Sequence, residues 1–284
     1  MEKGRNARKI FVGTSGYSYD EWKEFFYPKS IKSDEMLEYY SKKFDTVEIN
    51  SSFYQIPGQK TVEEWNKKSP KWFRFSAKLP NLVTHKCLLD PEELKQPLDL
   101  FLQNMIPLLQ TKKILAFLLQ LSPKFSYEEH KTRLEFFLPH WNSTIDEMIE
   151  NIPELKNNTP NLVVEFRNRD WLKEETYDML RQYKASFCTV VEPLLPPIIE
   201  ITFNMYYMRF HGFGQKIWFD YLFSEKEIEE WKPKILDLLP KVEKVVLYFN
   251  NHFSGNAVKN ADYMKKILEI SDPKKTSGLD RFLQ

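Results

Sequence analysis

Two hydrophobic patterns alternate along the chain. Eight short runs rich in β-branched and aromatic residues predict strands at 9–14, 46–50, 72–79, 114–121, 161–167, 186–191, 205–212 and 244–250. Segments with apolar residues every three or four positions predict helices at 34–43, 61–69, 91–106, 126–138, 174–184, 224–239 and 256–270. Three of these helices begin with the spacing of a capping box, a Ser or Thr followed three positions later by Glu, at Thr61, Ser126 and Ser224.

Strands that alternate with helices predict a parallel sheet, and eight of them predict a single α/β domain over 1–284, folded as a (β/α)8 TIM-type barrel. An open doubly wound sheet is the alternative, but no glycine-rich phosphate loop follows any strand. Residues 192–204, between the sixth and seventh strands, contain three prolines and leave little room for a helix, so we predict an irregular connection. A polar C-terminal tail is predicted from about 272.

Composition narrows the range of partners. The 284 residues include 41 Lys and Arg against 40 Asp and Glu, which gives no general attraction to nucleic acid. No segment reaches the ~20 apolar residues that span a bilayer, and no signal-peptide core follows the N-terminus, so we expect a cytoplasmic protein without a membrane partner. Cys87 and Cys188 are far apart, which predicts buried free thiols. Nothing in the sequence indicates an oligomeric state.

Polar residues recur in pairs at the carboxyl ends of the predicted strands. Because a strand alternates its faces every residue, Glu48 and Asn50 share one face, whereas Val47 and Ile49 take the other. The same spacing pairs Ser76 with Lys78, Gln120 with Ser122, Glu165 with Arg167, Arg209 with His211, and Tyr248 with Asn250. TIM-barrel enzymes keep their active sites at this end, so we predict a functional pocket there. For a single pair such as Glu165 and Arg167, a structural ion pair is the alternative.

The cations of these pairs indicate the ligand. Lys78, Arg167 and Arg209 would converge on one mouth, which favours an anionic ligand bound through phosphate or carboxylate. We therefore predict an enzyme acting on a phosphorylated or nucleotide-like small molecule, as a hydrolase, lyase or isomerase. A noncatalytic sensor of the same ligand stays open.

The acid–base groups of the same pairs predict the chemistry. Glu48, Glu165 and His211 are the predicted catalytic residues. We expect Glu48 and Asn50 to share one hydrogen-bonded network with Arg167, Arg209 or His211, and expect Glu48 to serve ligand chemistry more than stability.

Aromatic and histidine residues support an alternative function. Phe53, Tyr54 and Trp171 follow predicted strands, where such rings either stack on a base or sugar or pack the loops. A nucleic-acid-binding or metal-dependent endonuclease-like protein is therefore the alternative. Three histidines and three glutamates are of the types that bind metals: His85, His211, His252, Glu48, Glu165 and Glu192. Because H-E-x-x-H is absent and Lys and Arg occupy the same mouth, no metal or other cofactor is predicted, and a divalent metal is kept as the alternative.

Several long motifs resemble a known family. "VGTSGYSYDEW", "VEINSSFYQIP", "FRFSAKLPNLVTH", "LLQLSPKF", "VVEFRNRDW", "YMRFHG" and "YFNNHFSGNAVKNA" resemble, in order, motifs of domain-of-unknown-function family 72, the YecE-like family, from about residue 10 to 270. The resemblance implies a TIM-type barrel and no established reaction; a fold likeness of some members to metal-dependent endonucleases is analogy.

Family motifs matched to this chain imply a set of site residues. The set contains Glu48, Asn50, Tyr54, Lys78, His85, Gln120, Glu165, Arg167, Trp171, Arg209, His211, Gly212, Asn250 and Asn251. Apart from the three predicted catalytic residues and Gly212, we expect these residues to bind substrate. Where the family pattern leads us to expect Asp after the sixth strand, this chain has Glu192, which we add to the substrate-binding set.

Overall fold

The computed structural model describes residues 9–156 and 159–272. Within these ranges, eight strands form one parallel sheet in the order β1-β8-β7-β6-β5-β4-β3-β2. They are β1 Ile10–Thr14, β2 Thr46–Ile49, β3 Arg74–Lys78, β4 Ile114–Gln120, β5 Asn161–Glu165, β6 Ser186–Val191, β7 Met205–Phe210 and β8 Lys244–Phe249. Strands β1 and β2 meet through one parallel bridge between Ser15 and Glu48, so the barrel is nearly closed. The predicted TIM-type barrel is confirmed.

Helices connect most of the strands. In the described ranges they are α1 Met36–Tyr40, α2 Ser51–Tyr54, α3 Gln59–Lys68, α4 Lys95–Gln110, α5 Tyr127–Asn151, α6 Glu174–Gln182, α7 Glu225–Glu229, α8 Trp231–Leu238 and α9 Asn256–Ile267, with a short π-helix at Leu82–Lys86. None of these helices is long and apolar enough to cross a membrane. The predicted tail falls almost wholly on residues 273–284, which lie outside the described residues.

The capping boxes have three outcomes. At Ser224 the box forms: its Oγ accepts from Glu227 N at 3.3 Å, and Glu227 Oε2 accepts from Ser224 N at 2.8 Å. Ser126 precedes α5 as predicted, but its Oγ donates to the Glu129 carboxylate and accepts no backbone N–H. The prediction at Thr61 is wrong, because α3 already begins at Gln59 after an extended Gly58.

Two predicted helices depart furthest from their predicted bounds. Helix α5 continues past the predicted end at 138 to Asn151, because its buried stripe goes on through Trp141 and Ile145. The segment predicted as one helix at 224–239 is divided at Glu230. Pro233 lies in the first turn of α8, where its missing N–H breaks no helical hydrogen bond.

The alternation of strand residues separates two hydrophobic cores. Val47 and Ile49 face outward into the larger core, between the sheet and the helices. The smaller core fills the barrel and includes Leu118, Tyr207 and Tyr248. Residues 192–204 contain no helix or strand, as predicted, and Leu195 from this segment packs into the inner core. The inner core lies directly below the polar residues at the carboxyl ends of the strands and supports them. Both cysteines are buried and free, as predicted.

Candidate functional site

Three carboxylates and two guanidinium groups alternate across the end of the barrel where the strands terminate. In order, the chain of ion pairs runs Glu48, Arg209, Glu165, Arg167 and Glu192. Arg209 Nη2 lies 2.7 Å from Glu48 Oε1, and its Nη1 lies 2.6 Å from Glu165 Oε2. Each guanidinium is therefore held between two carboxylates, which offsets the cost of burying these charges.

Glu48 is the innermost member of this ion-pair chain. Its carboxylate is 0% exposed and accepts hydrogen bonds from Ser15 Oγ and Tyr207 Oη, each at 2.6 Å, besides those from Arg209. The backbone of Glu48 also helps close the barrel, because its carbonyl oxygen accepts from Gly16 N at 2.7 Å. Glu48 thus joins three strand ends, and no part of its carboxylate is left open to a ligand.

Arg167 is the outermost arginine of the ion-pair chain and is half-buried. Its Nε donates to Glu165, its Nη1 donates to Glu192, and its Nη2 lies 2.9 Å from His211 Nε2. A guanidinium carries more N–H donors than these three contacts use. Arg167 therefore keeps N–H groups that can donate hydrogen bonds to an anion at the mouth.

His211 lies against both arginines. Its Nε2 lies 2.9 Å from Arg167 Nη2 and 3.4 Å from Arg209 Nη1. Its Nδ1 lies 2.9 Å from the side-chain amide nitrogen of Asn250. That amide lies 3.3 Å from the amide of Asn50. Glu48 and Asn50 therefore belong to one network with Arg167, Arg209 and His211.

Burial and neighbouring charges fix the protonation of this network. Burial alone would raise the pKa of Glu165, but Arg167 and Arg209 outweigh it and hold the pKa well below its usual value. Burial and the same two arginines lower the pKa of His211 to about 3. Glu165 is thus an anion and His211 a neutral imidazole across the physiological pH range.

Lys78 at the end of β3 differs from the other buried charges. It is 8% exposed, and its Nζ lies 3.6 Å above the ring of Phe53. Within residues 9–156 and 159–272, no carboxylate pairs with this ammonium and no oxygen accepts a hydrogen bond from it. Burial, with Arg209 adding to it, lowers the pKa of Lys78 to about 7. Near neutral pH, therefore, the Lys78 side chain is a neutral amine in about half of the protein molecules.

Glu192 lies at the start of the irregular segment 192–204 and is buried. Burial raises the pKa of its carboxyl, against the pull of Arg167. Its Oε2 nevertheless accepts from Arg167 Nη1, so this carboxyl group ends the ion-pair chain. The side chain of Glu192 is one methylene longer than that of the expected Asp, and this length lets its carboxylate reach Arg167.

The remaining predicted residues form the rim. We call the end of the barrel that carries Asn50, Lys78, Gln120, Arg167 and Asn250 the barrel mouth; all five lie at strand ends. Gln120 Oε1 accepts from Arg209 Nη1 at 3.4 Å. Two further rings extend the rim on the side of Phe53: His85 lies edge-on to it at 4.8 Å, and Tyr54, 78% exposed, at 5.2 Å.

Two predicted residues lie apart from the mouth. Trp171 is fully buried, and its Nε1 donates to Phe125 O at 2.7 Å, so its ring packs the loop after β5. Asn251 is also fully buried and donates to Tyr221 O and Asn260 Oδ1. The structure brings neither side chain to a position where it contacts the other predicted residues.

Gly212 supports the site through its backbone. It follows His211 with a φ of 106°, a conformation that L side chains rarely adopt. A Cβ at this position would lie 2.4 Å from Trp218 O. Glycine therefore allows the loop after β7 to fold back, so that Phe219 lies 5.8 Å from the ring of His211.

Ser15 and Tyr207 both donate hydrogen bonds to Glu48, although neither is among the residues predicted from the sequence. Tyr207 lies two positions before Arg209 on β7, so the period-two rule already placed it on the same face. Ser15 follows β1 directly, and no comparable pair pointed to it. Among the described residues, no group of three or more His, Cys, Asp or Glu is arranged to hold a metal ion.

Comparison with known proteins agrees with the motifs. A profile of the family described as "Protein of unknown function DUF72" matches residues 11–280. The chain is 26% identical to UPF0759 protein YunF of Bacillus subtilis (strain 168) over 286 residues, which cover 92% of this chain and 95% of YunF. It is 29% identical to UPF0759 protein YecE of Escherichia coli (strain K12) over 120 residues, or 42% of this chain and 40% of YecE.

Solved structures show the same fold. A DUF72 family protein from Thermotoga maritima MSB8 is similar with a TM-score of 0.74 and 30% identity, covering 92% of this chain and 100% of that one. A DUF72 family protein from Enterococcus faecalis V583 has a TM-score of 0.76 at 24% identity, covering 92% and 96%, and its likeness concerns the fold alone. The family profile matches nearly the whole described chain, and the protein therefore belongs to the DUF72 family.

Proposed function

We propose that this protein is an enzyme that binds an anionic small molecule, phosphorylated or nucleotide-like, at the barrel mouth and acts on it by acid–base chemistry. The observation that carries the proposal is the ammonium group of Lys78, which is buried beside an ion-pair chain yet has no anionic partner of its own. A buried cation without a partner is costly unless an anion is provided, and a ligand provides it.

Arg167 is the second group assigned to the ligand. Glu165 and Glu192 hold the guanidinium group of Arg167 in a fixed orientation. Its remaining N–H donors form a planar fork, a geometry suited to phosphate or carboxylate oxygens. Arg209 has no comparable freedom, because it is 1% exposed and is enclosed by Glu48 and Glu165. Lys78, Arg167 and Arg209 were all predicted to bind the anion. Of these, Lys78 and Arg167 are therefore assigned to the ligand, and Arg209 is assigned to the support of the site.

The proton-transfer role goes to Lys78, whose pKa of about 7 lets it accept a proton at neutral pH. Glu48, Glu165 and His211, the predicted catalytic residues, are here positioning residues, since each is fully buried and engaged by a guanidinium. Glu192 is likewise buried and paired with Arg167, and it has the same positioning role.

Inorganic phosphate provides the first test. At about ten times its dissociation constant, a ligand specific for the native state stabilises it by ~1.4 kcal/mol, which raises the Tm of a protein of this size by roughly 3 °C. We expect this saturable shift for the wild type, at constant ionic strength, and expect Arg167→Lys to lose most of it because the bidentate fork is lost.

Arg181→Lys is the matched control. Arg181, like Arg167, is paired with carboxylates, here those of Glu174, Asp178 and Glu200, but it lies on α6, outside the mouth. This variant should keep the phosphate shift of the wild type. An Arg167→Lys variant that responds to phosphate as strongly as the wild type would show that the anion binds elsewhere, and the proposal would fail. A library of phosphorylated and carboxylated metabolites, screened by the same assay, then identifies the ligand.

A nucleic-acid ligand is the second candidate, favoured by the exposed ring of Tyr54 beside Phe53 on the rim. Such rings stack on unpaired bases. Binding of a single-stranded oligonucleotide that weakens steeply with added salt, and that Tyr54→Ala reduces, would support this candidate over a small molecule.

A further inference from the structure

We propose that Lys78 Nζ attacks a carbonyl carbon of the bound molecule and forms an imine, so that the substrate is an anionic aldehyde or ketone. This inference rests on the proposed function, because it requires an anion held at the mouth by Arg167. It names the class of substrate, a small molecule that carries both a carbonyl group and a phosphate or carboxylate.

The surroundings of Lys78 meet the requirements of a nucleophilic amine. Such an amine has to be neutral, and hydrogen-bond acceptors around it oppose this because they stabilise its ammonium form. In the described ranges Nζ contacts the face of Phe53 at 3.6 Å and gives no hydrogen bond to oxygen. The ring attracts the charged form only. Once the proton is lost, the lone pair is available to a carbonyl group in the mouth.

A second buried lysine shows that burial is not the distinguishing feature. Lys113, at 4% exposure, is as buried as Lys78, and burial lowers its pKa to about 8. Its Nζ, however, donates to Asn66 O, Ser69 O and Ser69 Oγ at 2.6, 2.8 and 3.0 Å. It also precedes β4, at the opposite end of the barrel from the mouth. Lys113 is held by its partners, whereas Lys78 is not.

The proposed step balances without another reactant. The neutral amine adds to the carbonyl carbon to give a carbinolamine, and its hydroxyl group then leaves as the C=N bond forms. Both N–H protons of the amine depart with the carbonyl oxygen as one molecule of water. No oxidant or reductant takes part. Arg167 binds the anionic group of the substrate and thereby directs the carbonyl group toward Nζ.

Reductive trapping tests the proposal on the full-length wild type. Glyoxylate, a small anionic aldehyde, is added with sodium cyanoborohydride at limiting time, and the modified lysines are mapped by peptide mass spectrometry. At pH 7 the neutral fraction of an amine with a pKa of about 7 exceeds that of an ordinary lysine by roughly 10³-fold. Allowing for restricted access, we expect Lys78 to be labelled at least ~10-fold faster than exposed lysines and than Lys113.

Acetaldehyde is the matched uncharged probe. Arg167→Lys should slow the labelling of Lys78 by glyoxylate several-fold and leave its labelling by acetaldehyde nearly unchanged, because only glyoxylate needs the anion site. Labelling of Lys78 that is no faster than that of exposed lysines would overturn the imine proposal. If phosphate still stabilises the wild type in that case, the proposed function stands and only the imine is refuted; if phosphate fails as well, both are refuted.

Discussion

Replacing Glu48 by Gln tests whether this carboxylate serves stability or ligand chemistry. The substitution keeps the shape of the side chain and removes the charge, leaving Arg209 with one carboxylate, Glu165, instead of two. It also turns an NH2 group toward Ser15, Tyr207 or Arg209, each of which donates to Glu48. Breaking a buried ion pair costs ~3–5 kcal/mol. Because Glu165 still pairs with Arg209, we expect the lower end of this range, ~3 kcal/mol, or roughly 6 °C in Tm.

Denaturant and thermal melts of the wild type and of Glu48→Gln measure this loss. Glu38→Gln is the control, since Glu38 forms an exposed pair with Lys42 on the surface of the protein. Such a pair contributes less than ~1 kcal/mol. From the sequence we expect Glu48 to serve ligand chemistry, but a carboxylate with no exposed surface favours the structural role. Near-normal stability together with loss of the phosphate-induced Tm shift would refute this reasoning.

Two further predictions concern stability. With a folded pKa of about 3, His211 stays neutral while the unfolded chain takes up a proton near pH 6.5, so the free energy of unfolding should fall as pH falls from 6.5 toward 3, by up to ~1.4 kcal/mol per unit. Melts between pH 6.5 and 5 should show this fall in the wild type and a smaller one in His211→Gln; a flat wild-type curve would contradict it. Ser224→Ala should cost about 1 kcal/mol by removing the cap of α7, whereas Ser126→Ala should cost less than half of that, because Ser126 accepts no backbone N–H; equal losses in denaturant melts would count against this.

The barrel could be predicted from the sequence because the residue pattern that identifies a strand lies within the strand itself. Val47 and Ile49 face the helices and Glu48 faces inward, as the period of two requires. The mouth residues followed from the same rule, applied at the end of each strand. Helix limits were less predictable: α3 begins before Thr61 and α5 passes Pro139. These limits depend on which residues the neighbouring elements bury, which no local pattern contains.

The pairing of charges could not be predicted from the sequence. Glu48 and Arg209 are 161 residues apart, and their contact depends on the curvature that brings β2 near β7 across the barrel. The sequence equally allowed Arg209 to bind a ligand. Only the structure shows two carboxylates enclosing it while Arg167, on the rim, keeps donors to spare.

The chemistry of the two buried lysines follows from their partners. Lys78 and Lys113 have similar exposure, and burial lowers both pKa values, so neither exposure nor the direction of the shift separates a reactive amine from a structural one. The oxygens around Lys113 make its burial favourable without a ligand. Lys78 has only an aromatic face, which compensates the charge in part. The uncompensated part is the physical reason for assigning a ligand to the mouth. The same deficit lowers the pKa of Lys78 to about 7, so the neutral amine needed for reaction is present at neutral pH.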